Sequence, residues 1–160
     1  MYDSALPYGK ARVRASHSIM STSIPVQALL PEPHADADSI EYWSNARAER
    51  LVLRRCSGCG HHHFPPRRLC PDCWSDDLHW VEASGEGTVY TFTVMHRAPS
   101  PEFSDRTPYI LALIDLAEGP RMMANIVGAE AREITLGDRV RVCFETRGEH
   151  KLPQFVRSSV

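Results

Sequence analysis

Cys56-Ser57-Gly58-Cys59-Gly60 and Cys70-Pro71-Asp72-Cys73 are the two stretches that decide how this chain is read. Each sets two cysteines three positions apart, and ten residues separate the pairs. A Cys-x2-Cys unit folds into a tight knuckle with both sulfurs on one side. Two knuckles facing each other make a tetrahedral four-sulfur site, with metal–sulfur bonds of roughly 2.3 Å for zinc. Gly58 and Gly60 suit the first turn, and Pro71 suits the start of the second. A redox Cys-x-x-Cys needs only one pair, at a helix start in a βαβ setting that this sequence lacks. Four thiolates saturate the ion and leave no position for water, so the metal is expected to be structural. Zn2+ is the favoured ion, and Fe fits the same four thiolates.

The neighbouring histidines His61, His62 and His63 are read as loop residues beside a ligand set that the cysteines already complete. Cys143 stands apart, and strand alternation places it outward. An extracellular disulfide framework favours an even count and a secretory signal. The basic residues Lys10, Arg12 and Arg14 are followed by no apolar run, so no signal peptide is read and a reduced, cytoplasmic setting is expected.

Outward from the ribbon, the 160 residues divide into four expected parts. Residues 1–35 read as a flexible arm punctuated by Pro7, Pro25, Pro31 and Pro33, with residues 1–19 as an upstream extension before a fresh start at Met20. Residues 36–50 read as a helix capped by Asp38, with Glu41 completing a capping box. Ile40, Trp43 and Ala46 form its apolar side, and Glu41, Asn45 and Glu49 its polar side. Residues 51–78 are the ribbon. Residues 79–160 are expected to be short β-strands.

Val89–His96 is β-branched and aromatic, with Tyr90, Phe92 and Val94 sharing one face, and Tyr90 and Phe92 are read as barrel core. Tyr109–Leu116 is apolar on both faces, as in a central strand. Val140, Val142 and Phe144 alternate cleanly with Arg139, Arg141 and Cys143. Pro153–Val156 reads as a short edge strand. Five or six strands in about 80 residues with one helical turn predict a small closed barrel, because an open sheet of this size leaves edges exposed. The fold class is therefore mainly β: a ribbon, then a barrel, preceded by a short helix.

Composition narrows function. Hydrophobic residues make up 42% and charged residues 24%, and 18 basic against 20 acidic side chains give a net charge of -2. A nucleic-acid binder usually carries a basic excess, so that reading is disfavoured. The longest apolar run, Tyr109–Leu116, is interrupted by Asp115 and falls far short of a membrane span. Gly85-x-Gly87 lacks the third glycine of a dinucleotide site, and neither a Walker sequence nor a Gly-x-Ser-x-Gly elbow occurs. Glu82, Glu86, His96 and Asp115 are acid–base candidates that form no recognisable constellation, so no catalytic residue is assigned.

The order of motifs resembles a known family. It runs Tyr42-Trp43, Leu51-Val52-Leu53, the first knuckle, Phe64-Pro65-Pro66-Arg67, the second knuckle, Trp80-Val81-Glu82, Ser84-Gly85, Gly87-Thr88-Val89-Tyr90, Pro108-Tyr109-Ile110, Gly119-Pro120-Arg121, Leu136-Gly137-Asp138 and Pro153-Gln154-Phe155. The chain is similar, over roughly residues 40–157, to the acyl-CoA-associated OB-fold proteins with an N-terminal rubredoxin-like zinc ribbon. Trp74 departs from the pattern, since the second knuckle often has glycine there.

The resemblance implies an accessory subunit that binds a thiolase-fold enzyme (an acyltransferase, a thiolase or a steroid side-chain aldolase) and helps hold its acyl-CoA. The chain has no room for a fused hydratase, so the enzyme is expected as a separate subunit. Metal ligands are then Cys56, Cys59, Cys70 and Cys73. Arg54, Arg55, Arg67, Arg68, His96 and Arg97 become candidates for phosphate contacts, arginine's fork favouring bidentate bonds. A nucleic-acid-binding ribbon and barrel is the competing reading, and a stand-alone enzyme is a third.

Overall fold

Helix α1 spans Ile40–Arg47. In the computed structural model, which describes residues 30–158, it starts one residue later than the capping box suggests. Asp36 governs this start: its backbone carbonyl accepts from the Ser39 and Ile40 amides at 3.1 and 3.0 Å, and its carboxylate accepts from the Ser39 amide at 2.9 Å. Ser39 occupies the cap position, and no side chain caps the helix. The expected arm falls largely outside the described residues, as does the expected start at Met20.

The buried face of α1 is Tyr42, Asn45 and Ala46, while Ile40 is exposed. Asn45 is thus not on the polar side. It is tolerated inside because its amide donates to the Glu41 carbonyl at 2.8 Å and its oxygen accepts from Arg50. Trp43 packs against the core, edge-on to Tyr42 and His150.

Three strands form the ribbon's sheet: β1 (Val52–Cys56), β2 (His62–His63) and β3 (Leu78–Glu82), in the order β2-β1-β3. β1 is antiparallel to both neighbours, with Arg54 opposite His63 on one side and Trp80 on the other. His62 and His63 are therefore strand residues, and β3 carries the ribbon's sheet to Glu82.

The remaining strands are β4 (Glu86–Met95), β5 (Tyr109–Leu116), β6 (Arg121–Ile126), β7 (Arg139–Arg147) and β8 (His150–Arg157). They close into a barrel in the order β4-β5-β6-β8-β7, with β7 returning to β4. Short 3-10 segments at Pro101–Arg106 and Ala131–Glu133 sit in the β4–β5 and β6–β7 connections.

β8 is an interior member, not an edge strand. It runs antiparallel to β7 over eight residue pairs and parallel to β6 at Ile126–Phe155, where the Val127 amide donates to the Phe155 carbonyl at 2.8 Å. Pro153 is admissible there because β8 pairs continuously only on its β7 side.

The barrel is filled by Val89, Ile110, Ala112, Ile114, Leu116, Met122, Ala124, Ile126, Val140 and Phe155. Tyr42 and Leu51–Leu53 belong to the same buried cluster, so helix, ribbon base and barrel share one core. Gly87 faces this core where a Cβ would lie 2.6 Å from an Ile114 methyl and 3.0 Å from the Asp115 carbonyl. A larger residue there would push β4 off β5.

The register of β4 slips between Val89 and Thr91. A bulge inserts one residue and inverts the in–out alternation beyond it. Val89 and Phe92 both pack on the core as a result, while Tyr90 is 53% exposed and Val94 is also exposed. The reading of Tyr90 as barrel core is corrected by this bulge.

Candidate functional site

The two knuckles are near copies of one backbone design. In the first, the Gly60 amide donates to the Cys56 carbonyl at 2.9 Å, and the Cys56 amide donates to the His61 carbonyl at 2.9 Å. In the second, the Trp74 amide donates to the Cys70 carbonyl at 3.0 Å, and the Cys70 amide donates to the Ser75 carbonyl at 2.9 Å. The residue after each second cysteine has positive φ, 76° at Gly60 and 63° at Trp74. Trp74 therefore keeps the turn geometry that glycine would supply.

This folding brings the sulfurs together. Cys56 Sγ lies 3.5 Å from Cys73 Sγ, Cys59 Sγ lies 3.6 Å from Cys70 Sγ, and all four fall within 4.8 Å of one another. A tetrahedron with zinc–sulfur bonds of roughly 2.3 Å has edges of about 3.8 Å, so the cage fits the ion. Cys56 and Cys70 are buried, and Cys59 and Cys73 face outward.

The thiol of Cys56 is drawn down to about 7, chiefly by the Cys59 amide. At Cys59 the His61 amide pulls the same way, but burial and the crowding sulfurs together drive the thiol up to about 12. Four thiolates at this spacing repel, and a dication relieves that repulsion. The cage is a structural metal site of the zinc-ribbon type, with every position taken by sulfur.

His63 is 4% exposed, and neither ring nitrogen has a hydrogen-bond partner. Burial holds its pKa below the usual 6.5, opposed by the nearby Arg67 backbone and reinforced by the charges of His61, Arg54 and Arg67. Its charged form is thus disfavoured in the fold, whereas the unfolded chain takes up the proton freely. The stability it contributes is complete above about pH 6.5 and declines as pH falls toward the folded pKa, by at most about 1.4 kcal/mol per pH unit. Melting curves at about pH 7.5 and 5.5 should show this decline, and His63→Leu should flatten it.

The basic candidates do not form one cluster. Arg54 lies over the Trp80 ring, 4.4 Å from its centre, and donates to the Leu78 carbonyl at 3.5 Å. Arg55, its neighbour on β1, faces the opposite side of the sheet, in register with His62 and His79. Arg67 and Arg68 are exposed on the loop between the knuckles. His96 and Arg97, also exposed, follow the C-terminal end of β4.

Two surface depressions escaped the sequence reading. One is an apolar cleft of about 270 Å³ where helix, ribbon loop and barrel meet, walled by Tyr42, Trp43, Phe64, Leu111, Met123 and Leu152. Its floor is pinned by Gln154, whose side-chain oxygen accepts from the Asn125 amide at 2.9 Å. These residues come from five separated parts of the chain, and only the two-sided apolarity of β5 hints at the cleft.

The other depression is a polar groove of about 570 Å³ beside Glu86, Asp115, Arg139 and Arg141. Much of its charge is internally paired, Arg141 with Glu86 at 2.8 Å and Arg121 with Asp115 at 2.7 Å. The exposed Tyr90 ring is covered by the Arg121 guanidinium, 3.3 Å from its centre, so that face is not free to stack on a base. No helix among the described residues is long and apolar enough to cross a membrane.

Comparison with known proteins follows the same division. Residues 43–79 match the family described as ChsH2, rubredoxin-like zinc ribbon domain, and residues 80–145 match ChsH2, C-terminal OB-fold domain. A probable enoyl-CoA hydratase alpha subunit of Thermomonospora curvata is 40% identical over 130 residues, which cover 81% of this chain and 40% of that protein. The chain thus corresponds to about two fifths of that relative.

A DUF35 domain-containing scaffold protein of Pyrococcus furiosus is 38% identical over 102 residues, 63% of this chain and 74% of that one. The benzoylsuccinyl-CoA thiolase subunit BbsA of Thauera aromatica is 34% identical over 92 residues, 58% of this chain and 62% of that one. Among solved structures, a chain of the Ltp2-ChsH2(DUF35) aldolase superposes with a TM-score of 0.72 at 36% identity, covering 80% of this chain and all of that one. The family models fall on the ribbon first and the barrel second, and the chain belongs to the DUF35 family.

Proposed function

We propose that this protein is a non-catalytic accessory subunit that docks on a thiolase-fold enzyme and helps hold that enzyme's acyl-CoA substrate. One observation carries the reading: 80% of this chain matches the whole of the DUF35 chain of an aldolase assembly. The thiolase subunit BbsA supports it from sequence. The metal in such a subunit stabilises the ribbon and does no chemistry, because sulfur fills all four positions.

The apolar cleft between helix and barrel offers a wall for the acyl or pantetheine portion of a thioester, a ligand type that combines an apolar stem with polar ends. Arg55, Arg67, Arg68, His96 and Arg97 are exposed donors available for its phosphates. Arg54, already stacked on Trp80, serves the ribbon instead.

Isolation of the tagged protein from its source under native conditions should recover a thiolase-fold enzyme subunit in fixed stoichiometry, and the pair should bind CoA more tightly than either subunit alone. Recovery of the chain by itself, with no gain in CoA affinity on adding a thiolase-fold subunit, would overturn the proposal. Salt-resistant binding of single-stranded RNA would replace it with the nucleic-acid reading.

A further inference from the structure

The barrel is held together by a single residue pair beside the apolar cleft. Strand β6 pairs with β5 at six positions but with β8 only at Ile126, which meets Phe155. Beyond that pair the two strands part, and the cleft of about 270 Å³ reaches between Met122–Asn125 of β6 and Leu152–Gln154 of β8. Alternate residues of a strand point their main-chain N–H and C=O groups to the same edge. The Asn125 and Val127 amides both point toward β8, one to the Gln154 side chain and one to the Phe155 carbonyl. The N–H and C=O of Met123 therefore point to that edge as well. The C=O of Pro153, two residues before that of Phe155, points back across the gap. Among the described residues, none of these three groups has a partner.

A bare strand edge is a template for another extended chain. The same gap is already bridged once by a substitute, since the side-chain oxygen of Gln154 takes the place of a main-chain acceptor for Asn125. Around the gap stand Tyr42, Trp43, Phe64 and Leu152. The place thus suits a slim chain with amides set along an apolar stem. Pockets for drug-sized ligands measure roughly 300–1,000 Å³, so this one holds such a chain and excludes a nucleotide beside it. Pantetheine, the arm that joins the nucleotide of CoA to its sulfur, has this chemistry. Its β-alanyl unit is a peptide residue lengthened by one carbon, with an N–H at one end and a C=O at the other, and a second amide N–H follows.

We infer that the cleft holds the pantetheine arm of CoA, laid along β6 as an added strand. The β-alanyl C=O accepts from the Met123 N–H, and the β-alanyl N–H donates to the Met123 C=O. The second amide N–H turns the other way, as in any strand, and donates to the Pro153 C=O. The inference rests on the accessory-subunit reading and deepens it: the cleft takes the portion that every CoA thioester shares, and the acyl group lies beyond it.

Met123→Pro deletes one N–H, and proline is admissible on a strand edge where that N–H has no partner. In the pair formed with the thiolase-fold subunit recovered with the wild-type chain, the variant should bind free CoA at least about tenfold more weakly. Acetyl-CoA and a long-chain acyl-CoA should lose the same factor. Met123→Ala keeps the N–H and should lose less than the proline variant. In the unaltered pair, amide exchange at Met123 should slow at least about tenfold when CoA is added, a measurement that needs no variant to fold. Unchanged CoA affinity of the proline variant, or unchanged exchange at Met123, would overturn the inference and leave the accessory reading intact. A loss confined to the long-chain thioester would overturn it by putting the acyl group in the cleft. A proline variant that no longer joins the enzyme subunit would overturn it by making the edge a docking strand for protein. A wild-type chain that adds nothing to the CoA affinity of a thiolase-fold subunit would remove both readings together.

Discussion

Replacing Cys56 by serine is expected to empty the metal cage and unfold the ribbon while the barrel stays assembled. Cys56 is fully buried and ends β1, so its sulfur joins the cage directly to the sheet. The sheet has little to hold it otherwise, since β2 is only two residues long. Structural zinc contributes folding free energy of about 10–16 kcal/mol in zinc-finger peptides at neutral pH, far more than such a sheet can supply.

Metal content should fall from one ion per chain to near zero, and amide protection should vanish over residues 56–78 and persist in β5. A strong chelator should reproduce both effects in the unaltered protein. Cys143→Ser is the control: that thiol is half-buried on β7, away from the cage, and its loss should leave metal content unchanged. Full zinc retention by the Cys56 variant would refute the assignment.

Phe155→Ala is the second large effect. The side chain is completely buried at the point where β8 meets β6 on one side and Val142 of β7 on the other. Its removal leaves a cavity among residues held from several strands, at a cost of about 3–5 kcal/mol. In a domain of this size that corresponds to a fall in Tm of about 6–20 °C. It is a large part of a typical stability of roughly 5–15 kcal/mol. Met123→Ala, on an exposed side chain of β6, should change Tm little by comparison. Equal effects from the two substitutions would mean that β8 does not close the barrel as described.

Much of this architecture could be read from sequence because its determinants are local. Cysteine spacing sets the knuckles, and the alternation of Val140, Val142 and Phe144 sets the face that β7 turns inward. What escaped reading depends on partners distant in the chain. The bulge that turns Tyr90 outward is a mismatch between β4 and β5, and no feature of β4 alone announces it. Asn45 is buried because Arg50 and Glu41 satisfy it. Pro153 marks β8 as an edge by its own chemistry, yet β6 and β7 enclose that strand. The apolar cleft, assembled from helix, ribbon loop, β5, β6 and β8, has no signature in any one of them.

Closure of the barrel by β8 also sets a schedule for biosynthesis. The bridge from Glu86 to Arg141 spans 55 positions, and the barrel cannot shut until residue 157 has cleared the ribosome. Cys56 and Cys73 are only 17 positions apart, so the cage can load its ion while the barrel strands are still being translated. Contacts close in sequence form fast, and distant pairings form late. The spacing of these contacts thus lets the cage close before the barrel does.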